Sequence, residues 1–235
     1  MRGASIPVLL LAAFACAAQP RLGGGQLRGS LLRENLLWIA GSQPRSIPVV
    51  TVCLVTDPNR FIVGAAETLA SRMFAAIRVR VKWHEPPVCP AGVSDPVFLT
   101  LVTRTPEAHF PGALGAALLP EGSHAWVFYD RVLRAGPDDS HVAALLAHSM
   151  AHEIAHVLQG INRHSESGIL KAHWSGTDCT RMALFPLMFT PEDALLIHLG
   201  LEERHSRLVS SGSAGVPINR SKEIWGSGER WLPVH

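Results

Sequence analysis

Two histidines enclosing a glutamate, His152, Glu153 and His156 in the stretch AHEIAH, are the residues of this 235-residue chain best suited to chemistry. On a helix, side chains four positions apart lie one turn apart on one face, so the two imidazoles can converge on a single tetrahedral metal ion. Zinc is the metal that this pairing suits. Glu153 then projects toward the side where a metal-activated water lies, and can take its proton while the metal brings the water's pKa toward neutrality. Such a constellation cuts amide bonds by attack of water.

A catalytic zinc takes three protein ligands and keeps one position open. Gly160 suits a turn out of the helix, because glycine carries no penalty at positive φ, and the short Ile161-Asn162-Arg163 run then presents His164 as the third ligand. Glu166 and His173 are rival third ligands. The alternative to a zinc site is a cluster of structural histidines, each satisfied within the core. His148, one turn before His152, either supports the ligands from behind, or simply packs or faces solvent. Trp174 reads as a core aromatic rather than a substrate platform, and Tyr129, the only tyrosine, as a core strand residue rather than an oxyanion donor.

These side chains need a helix to hold them, and GPDDSHVAALLAHSMAHEIAHVLQG supplies one. It offers Asp138, Asp139 or Ser140 as N-terminal cap, a long run without a breaker, and Gly160 as its stop. Its apolar face, Leu146, Met150, Ile154 and Val157, is distinct from the histidine face. Upstream, IPVVTVCLV reads as a strand, and DPNRFIVGAAETLASRMFAAI as a helix with Asp57 as cap and Pro58 at the first position. Its apolar positions Ile62, Ala66, Leu69, Met73 and Ile77 keep helical spacing. RVRVKW alternates Val79, Val81 and Trp83 with charges, a half-buried strand. By the crossover rule the two strands of this βαβ opening are parallel neighbours.

PVFLTLVT and AWVFYD supply two more strands. Between them the Gly-rich PGALGAALLPEGS reads either as an edge strand, open to an extended peptide added by backbone hydrogen bonds, or as a surface loop. TPEDALLIHLGLEERHSRLV is a last helix, capped by Thr190 with Pro191 next.

With 47% of residues hydrophobic and 17% charged, the chain can bury one substantial core. A net charge of +2 is too small and too evenly spread to mark a nucleic-acid surface. Residues 1–17 combine Arg2, an apolar run from Ile6 to Ala15 and the small Ala15-Cys16-Ala17 frame, the layout of a secretory signal peptide cleaved after Ala17. Lipid attachment at Cys16 is the rival, although AFA lacks the branched aliphatic residue that usually opens such a motif. Neither this run nor any other segment is long enough to span a bilayer. The expected location is therefore secreted or periplasmic. Export permits a disulfide: Cys89 and Cys179, both in loop-like sequence, are the expected pair, and Cys53 reads as a small buried hydrophobe. Residues 18–46 read as a linker or arm, 47–209 as the folded domain and 210–235 as a tail without periodicity.

The stretch HEIAHVLQGINRHS resembles the zincin metallopeptidases, and within them the metzincin branch, whose pattern is HExxHxxGxxH followed by a methionine-containing turn. It is similar also to short exported bacterial proteins with HEIGH, a glycine, a later HS and then GIM. The resemblance is strongest across residues 141–174 and weaker across the strand-helix-strand opening. It implies that His152, His156 and His164 bind zinc and that Glu153 is the general base and acid. Two departures stand out. The pattern's glycine and third histidine would fall at Gln159 and Asn162, so Gly160 and His164 arrive late and the loop is wider. Leu170 stands where the turn methionine is expected, and leucine is close to methionine in volume. Met182 and Met188 are the other methionines nearby, outside the expected context.

The expectation is thus an α+β, zincin-like fold: a mixed sheet with a βαβ opening, packed on the HExxH helix and followed by a C-terminal helical part. Its expected function is that of a secreted, Zn2+-dependent peptidase acting on a peptide or protein substrate. The alternative is a secreted recognition module that binds zinc without hydrolysis. An intact Glu153 argues against that alternative, because a purely structural site has no use for a base and fills the fourth coordination position.

Overall fold

The computed structural model describes residues 9–12 and 46–211, apart from 56–57, 86–88, 90–91, 109 and 120–121. Among them, in chain order, are strands β1 (Leu9–Ala12), β2 (Val49–Leu54), β3 (Arg80–His84), β4 (Val97–Val102), β5 (Gly115–Leu118) and β6 (His124–Phe128). The helices are α1 (Arg60–Ala76), α2 (Tyr129–Ala135), α3 (Asp139–Gln159), α4 (Gly176–Met182) and α5 (Pro191–Ser211). The expected linker at 18–46 and tail at 210–235 lie outside the described residues, except for Ser46 and for Ser210 and Ser211, which close α5.

The βαβ opening forms as the sequence suggests, with β2 and β3 as parallel neighbours joined through α1. One cap differs. Asn59 starts α1, its side-chain oxygen accepting from the backbone N–H groups of Phe61 and Ile62, and Asp57 lies outside the described residues. The sheet is mixed, in the order β1-β5-β6-β4-β2-β3. β4 pairs in parallel with β2 and β6, whereas β5 runs antiparallel to β6. Alternation decides which face of β4 is dry: Val97, Leu99 and Leu101 are buried and the residues between them partly exposed.

The Gly-rich segment does form a strand, but β5 is not the outermost one. β1 pairs antiparallel with it, Leu9 opposite Leu118 and Ala12 opposite Gly115, so residues of the expected leader occupy the sheet's edge. Another difference concerns AWVFYD, read as one strand. β6 stops at Phe128 and Tyr129 begins α2, where Asp130 in the first turn and Arg134 in the last complement the helix dipole. Tyr129 is still a buried core residue, now on a helix. α4 was not expected at all, although Ser175 and Asp178 form a reciprocal capping box that starts it.

The expected Cys89–Cys179 disulfide does not form; Cys53 pairs with Cys89 instead. The reason is register. Cys53 lies opposite His84 at the end of β3, five positions before Cys89, and the Cα atoms of the two cysteines are 5.4 Å apart, within disulfide reach. Cys53 is buried, as expected, but as half of a bond.

α3 lies across the sheet face over β4, β5 and β6, with α1 beside it and α4 and α5 against its other sides. Its apolar face, Leu146, Met150, Ile154 and Val157, is fully buried, and so are nearly all other positions from Ala144 onward. A helix buried all round must satisfy or exploit every polar side chain that it carries. No helix among the described residues is long and apolar enough to cross a membrane.

Candidate metal centre

Asp138 caps α3 by accepting from the His141 N–H, and Gly160 closes it at φ 67°, in the left-handed region where only glycine is unstrained. The last turns of this helix bring His152 and His156 together, and the chain leaving Gly160 returns His164 to the same place. One ring nitrogen from each of the three lies within 4.8 Å of the other two. The His164 ring stands 5.3 Å from that of His152 and 5.0 Å from that of His156, centre to centre.

Hydrogen bonds select the tautomers of the two helical histidines. The His152 Nδ1–H donates to the Ile169 carbonyl at 2.8 Å, and the His156 Nδ1–H to the Ile161 carbonyl at 3.2 Å. In a neutral imidazole with Nδ1 protonated, Nε2 carries only a lone pair. The two Nε2 atoms are 2.8 Å apart, a repulsive arrangement unless a cation is shared between them. A proton is a poor choice: burial, and then the nearby His156 and His164, push the His152 pKa well below its usual value. Burial and then His164 push that of His156 down to about 4. His164 Nε2 is buried without a hydrogen-bond partner among the described residues, and burial followed by the nearby His173 lowers its pKa. Three neutral imidazoles, two of them held by backbone carbonyls through the other nitrogen, match what a zinc ion requires of its ligands. The residues present fit the metal.

Glu153 is fully buried, and neither carboxylate oxygen has a hydrogen-bond partner among the described residues. Burial alone pushes its pKa well above the usual carboxylate range. β5 lies directly over it. A Cβ placed on Gly115 would come within 2.6 Å of both Cγ and Oε1 of Glu153, so glycine is what allows this strand so near the carboxylate.

The other residues singled out by sequence fall around this group rather than in it. His148 is buried, but its Nδ1–H donates to the Ala144 carbonyl at 2.6 Å and its Nε2 accepts from the Leu187 N–H at 2.9 Å. Both nitrogens are thereby used, and the ring serves packing. Glu166 and His173 are exposed and lie outside the three-histidine group. Leu170 is fully buried beside Ile169, Met182 is buried in the core, and Met188 contributes its carbonyl to the Ile169 N–H at 3.1 Å. Trp174 is a core aromatic as expected, with a task that the sequence did not reveal: its ring meets those of His152 and His148 edge-on, at 5.9 Å and 6.0 Å. Gly115 and Asp193 were also missed. Gly115 matters only through a strand-to-helix approach, which no local pattern reports. Asp193, three residues after Thr190, carried a readable capping signal but nothing to indicate its second contact, with the His164 loop.

No family model matches the sequence, and no curated protein does. Among solved structures, the chain is similar to archaemetzincin from Methanopyrus kandleri, with 14% identity and a TM-score of 0.48 over 68% of this chain and 98% of that one. It is similar also to a zinc-dependent peptidase from Methanocorpusculum labreanum, with 15% identity and a TM-score of 0.45 over 63% of this chain and 99% of that one. At that distance the chemistry has to be argued from the side chains themselves.

Proposed function

We propose that the chain is a secreted zinc-dependent peptidase of the zincin type, with His152, His156 and His164 holding the metal and Glu153 as general base. One observation carries the reading: three imidazole nitrogens converge within 4.8 Å, and the helix residue next to the first of them is a buried carboxylate without a hydrogen-bond partner among the described residues. A zinc ion bound there supplies Lewis acidity, which polarises a peptide carbonyl and makes water nucleophilic near neutral pH. Glu153 takes the proton as the water oxygen bonds to the carbonyl carbon, and delivers it to the amine nitrogen as the C–N bond breaks.

The substrate backbone would lie along β5 as an added antiparallel strand. Support comes from the chain itself, since Leu9–Ala12 already hydrogen-bonds β5 in that manner, with Ala12 opposite Gly115, the residue that lies against Glu153. Cleavage of the leader after Ala17 would remove β1 and open that edge. The Cys53–Cys89 disulfide supports an oxidising, extracytoplasmic location.

The deciding experiment incubates the chain beginning at Ala18 with a mixed peptide library and reads products by mass spectrometry, with Glu153→Ala and a chelator alongside. Cleavage is expected from the wild type alone, and more slowly from the chain that keeps residues 9–12. A folded, zinc-loaded wild type that cleaves nothing would favour the non-hydrolytic recognition module.

A further inference from the structure

His152 and His156 are placed by the helix that carries them, but His164 lies on a loop, and something must hold that loop. The structure provides one buried carboxylate for the purpose. Asp193 is fully buried at the start of α5. Its Oδ2 accepts from the Thr190 N–H at 2.9 Å, while its own N–H donates to Thr190 Oγ1 at 3.1 Å, the reciprocal cap of that helix. A cap would be complete with that. Oδ1 instead faces the loop, accepting from the Ser165 hydroxyl and from Arg163 Nη1 at 3.2 Å, the residues on either side of His164. The Asp193 carbonyl also accepts from Gln159 Nε2 at 3.4 Å, at the other end of the turn.

We propose that Asp193 is a positioning residue for the third zinc ligand, resting on the zinc reading above: it ties the loop on both sides of His164 to α5. Its single carboxylate thus fixes the start of one element and the geometry of another. The charge bears on the ligands as well, since Asp193 is close enough to His156 to act on it electrostatically, and a buried anion beside the site offsets part of the dication's charge. The wide loop between His156 and His164 gives this contact its purpose. A loop longer than the turn needs has many conformations, and an anchor on each side of the ligand removes most of them.

Three variants of the full chain separate the two tasks of the carboxylate. Asp193→Asn retains an oxygen for the cap but loses the charge; Ser165→Ala removes one loop contact and leaves the cap intact; Thr190→Val weakens the cap and leaves the loop contacts. Measured for each are zinc release into a chromogenic chelator, the visible absorption of the cobalt(II) form, and hydrogen exchange of the 160–165 amides in metal-free protein. Loss of an outer partner to a metal ligand typically costs ~10–100-fold in affinity. Asp193→Asn is expected to release zinc faster by that order, with weakened tetrahedral cobalt absorption and faster loop exchange. Ser165→Ala should show the same changes in smaller measure, and Thr190→Val should leave zinc release unchanged. If Asp193→Asn does not fold, Ser165→Ala decides. Wild-type zinc release and loop exchange in Asp193→Asn, or in Ser165→Ala if that is the deciding variant, would overturn the proposal while leaving the peptidase reading intact. A wild type that binds neither zinc nor cobalt would overturn both.

Discussion

The two halves of the buried stretch of α3, Ala144–Met150 and Ala151–Gln159, are put together on opposite principles. In the first half every polar side chain is satisfied: His148 uses both ring nitrogens on backbone partners, and the Ser149 hydroxyl donates to the Leu145 carbonyl at 2.9 Å. In the second half, Glu153 has no partner for either oxygen among the described residues, and His152 and His156 set two lone pairs against each other. Burying a polar group without a partner costs about 1–3 kcal/mol, more for a charged one, and folding alone gives no reason to accept that cost. The difference separates a histidine that stabilises the fold from histidines that the fold is arranged to present. Burial cannot make that distinction, since His148, Glu153 and His152 are all fully buried. Only the partners of each atom can.

The largest expected effect tests the presenting half directly. His164→Ala should abolish stoichiometric zinc binding, read by metal analysis after desalting, whereas Glu166→Ala and His173→Ala should retain it. Loss of zinc in Glu166→Ala alone would break the assignment of the third ligand. The supporting half should reveal itself through pH. Burial pushes the His148 pKa from 6.5 down to about 4, opposed in part by the hydrogen bond to the Ala144 carbonyl. On acidification the unfolded chain takes up the proton first, so this contribution is complete above pH 6.5 and is lost as the pH falls toward 4. The gap between those values corresponds to about 3 kcal/mol. The unfolding free energy of metal-free protein, measured in urea across that range, should therefore fall with falling pH, with a slope greater by up to about one proton in the wild type than in His148→Gln, which still offers Leu187 an acceptor. Equal slopes would mean that His148 is not held neutral by the fold.

A smaller effect has opposite signs in the two halves. Replacing the carboxylate that has no partner among the described residues by a hydrocarbon, Glu153→Leu, should raise the stability of the metal-free protein by about 1–3 kcal/mol, because it removes a desolvation cost without breaking any bond to those residues. Ser149→Ala, at a satisfied position, should lower stability by about 1 kcal/mol. Denaturant midpoints measured without metal decide both. Destabilisation by Glu153→Leu would mean that the carboxylate has a structural partner after all.

The legible part of this molecule was whatever repeats along the chain. Strand alternation, the helical spacing of His152 and His156, the Asp138 cap and the Gly160 stop are local patterns, and the βαβ opening with its parallel pair followed from them. Contacts between distant segments were not legible. Cys53 meets Cys89 because of a register between β2 and β3, Gly115 matters because β5 crosses α3, and Asp193 reaches Ser165 across 28 positions. Trp174 was recognised as core, but which core residues it would touch depended on a loop that returns to the helix. α2 was missed for another reason. Its few residues follow directly on β6, and a short helix has too little periodicity to stand out from the strand before it.

The smallest effect concerns Leu170, the position at which the sequence departs from a methionine-containing turn. Ile169 and Leu170 are both fully buried, and their carbonyls serve the site directly: that of Ile169 accepts from His152 Nδ1–H, and that of Leu170 accepts from the Ser165 N–H at 2.7 Å. The backbone of this turn therefore orients the His152 ring and anchors the loop that carries His164, and neither task requires sulfur. Leu170→Met conserves volume and should change stability by less than about 1.5 kcal/mol, with unchanged zinc release. A clear slowing of zinc release in Leu170→Met would show that the side chain tunes the ligands beyond filling space. An unchanged rate together with faster release in Asp193→Asn would place control of the third ligand in the polar clamp on its loop, and leave the apolar floor a packing role.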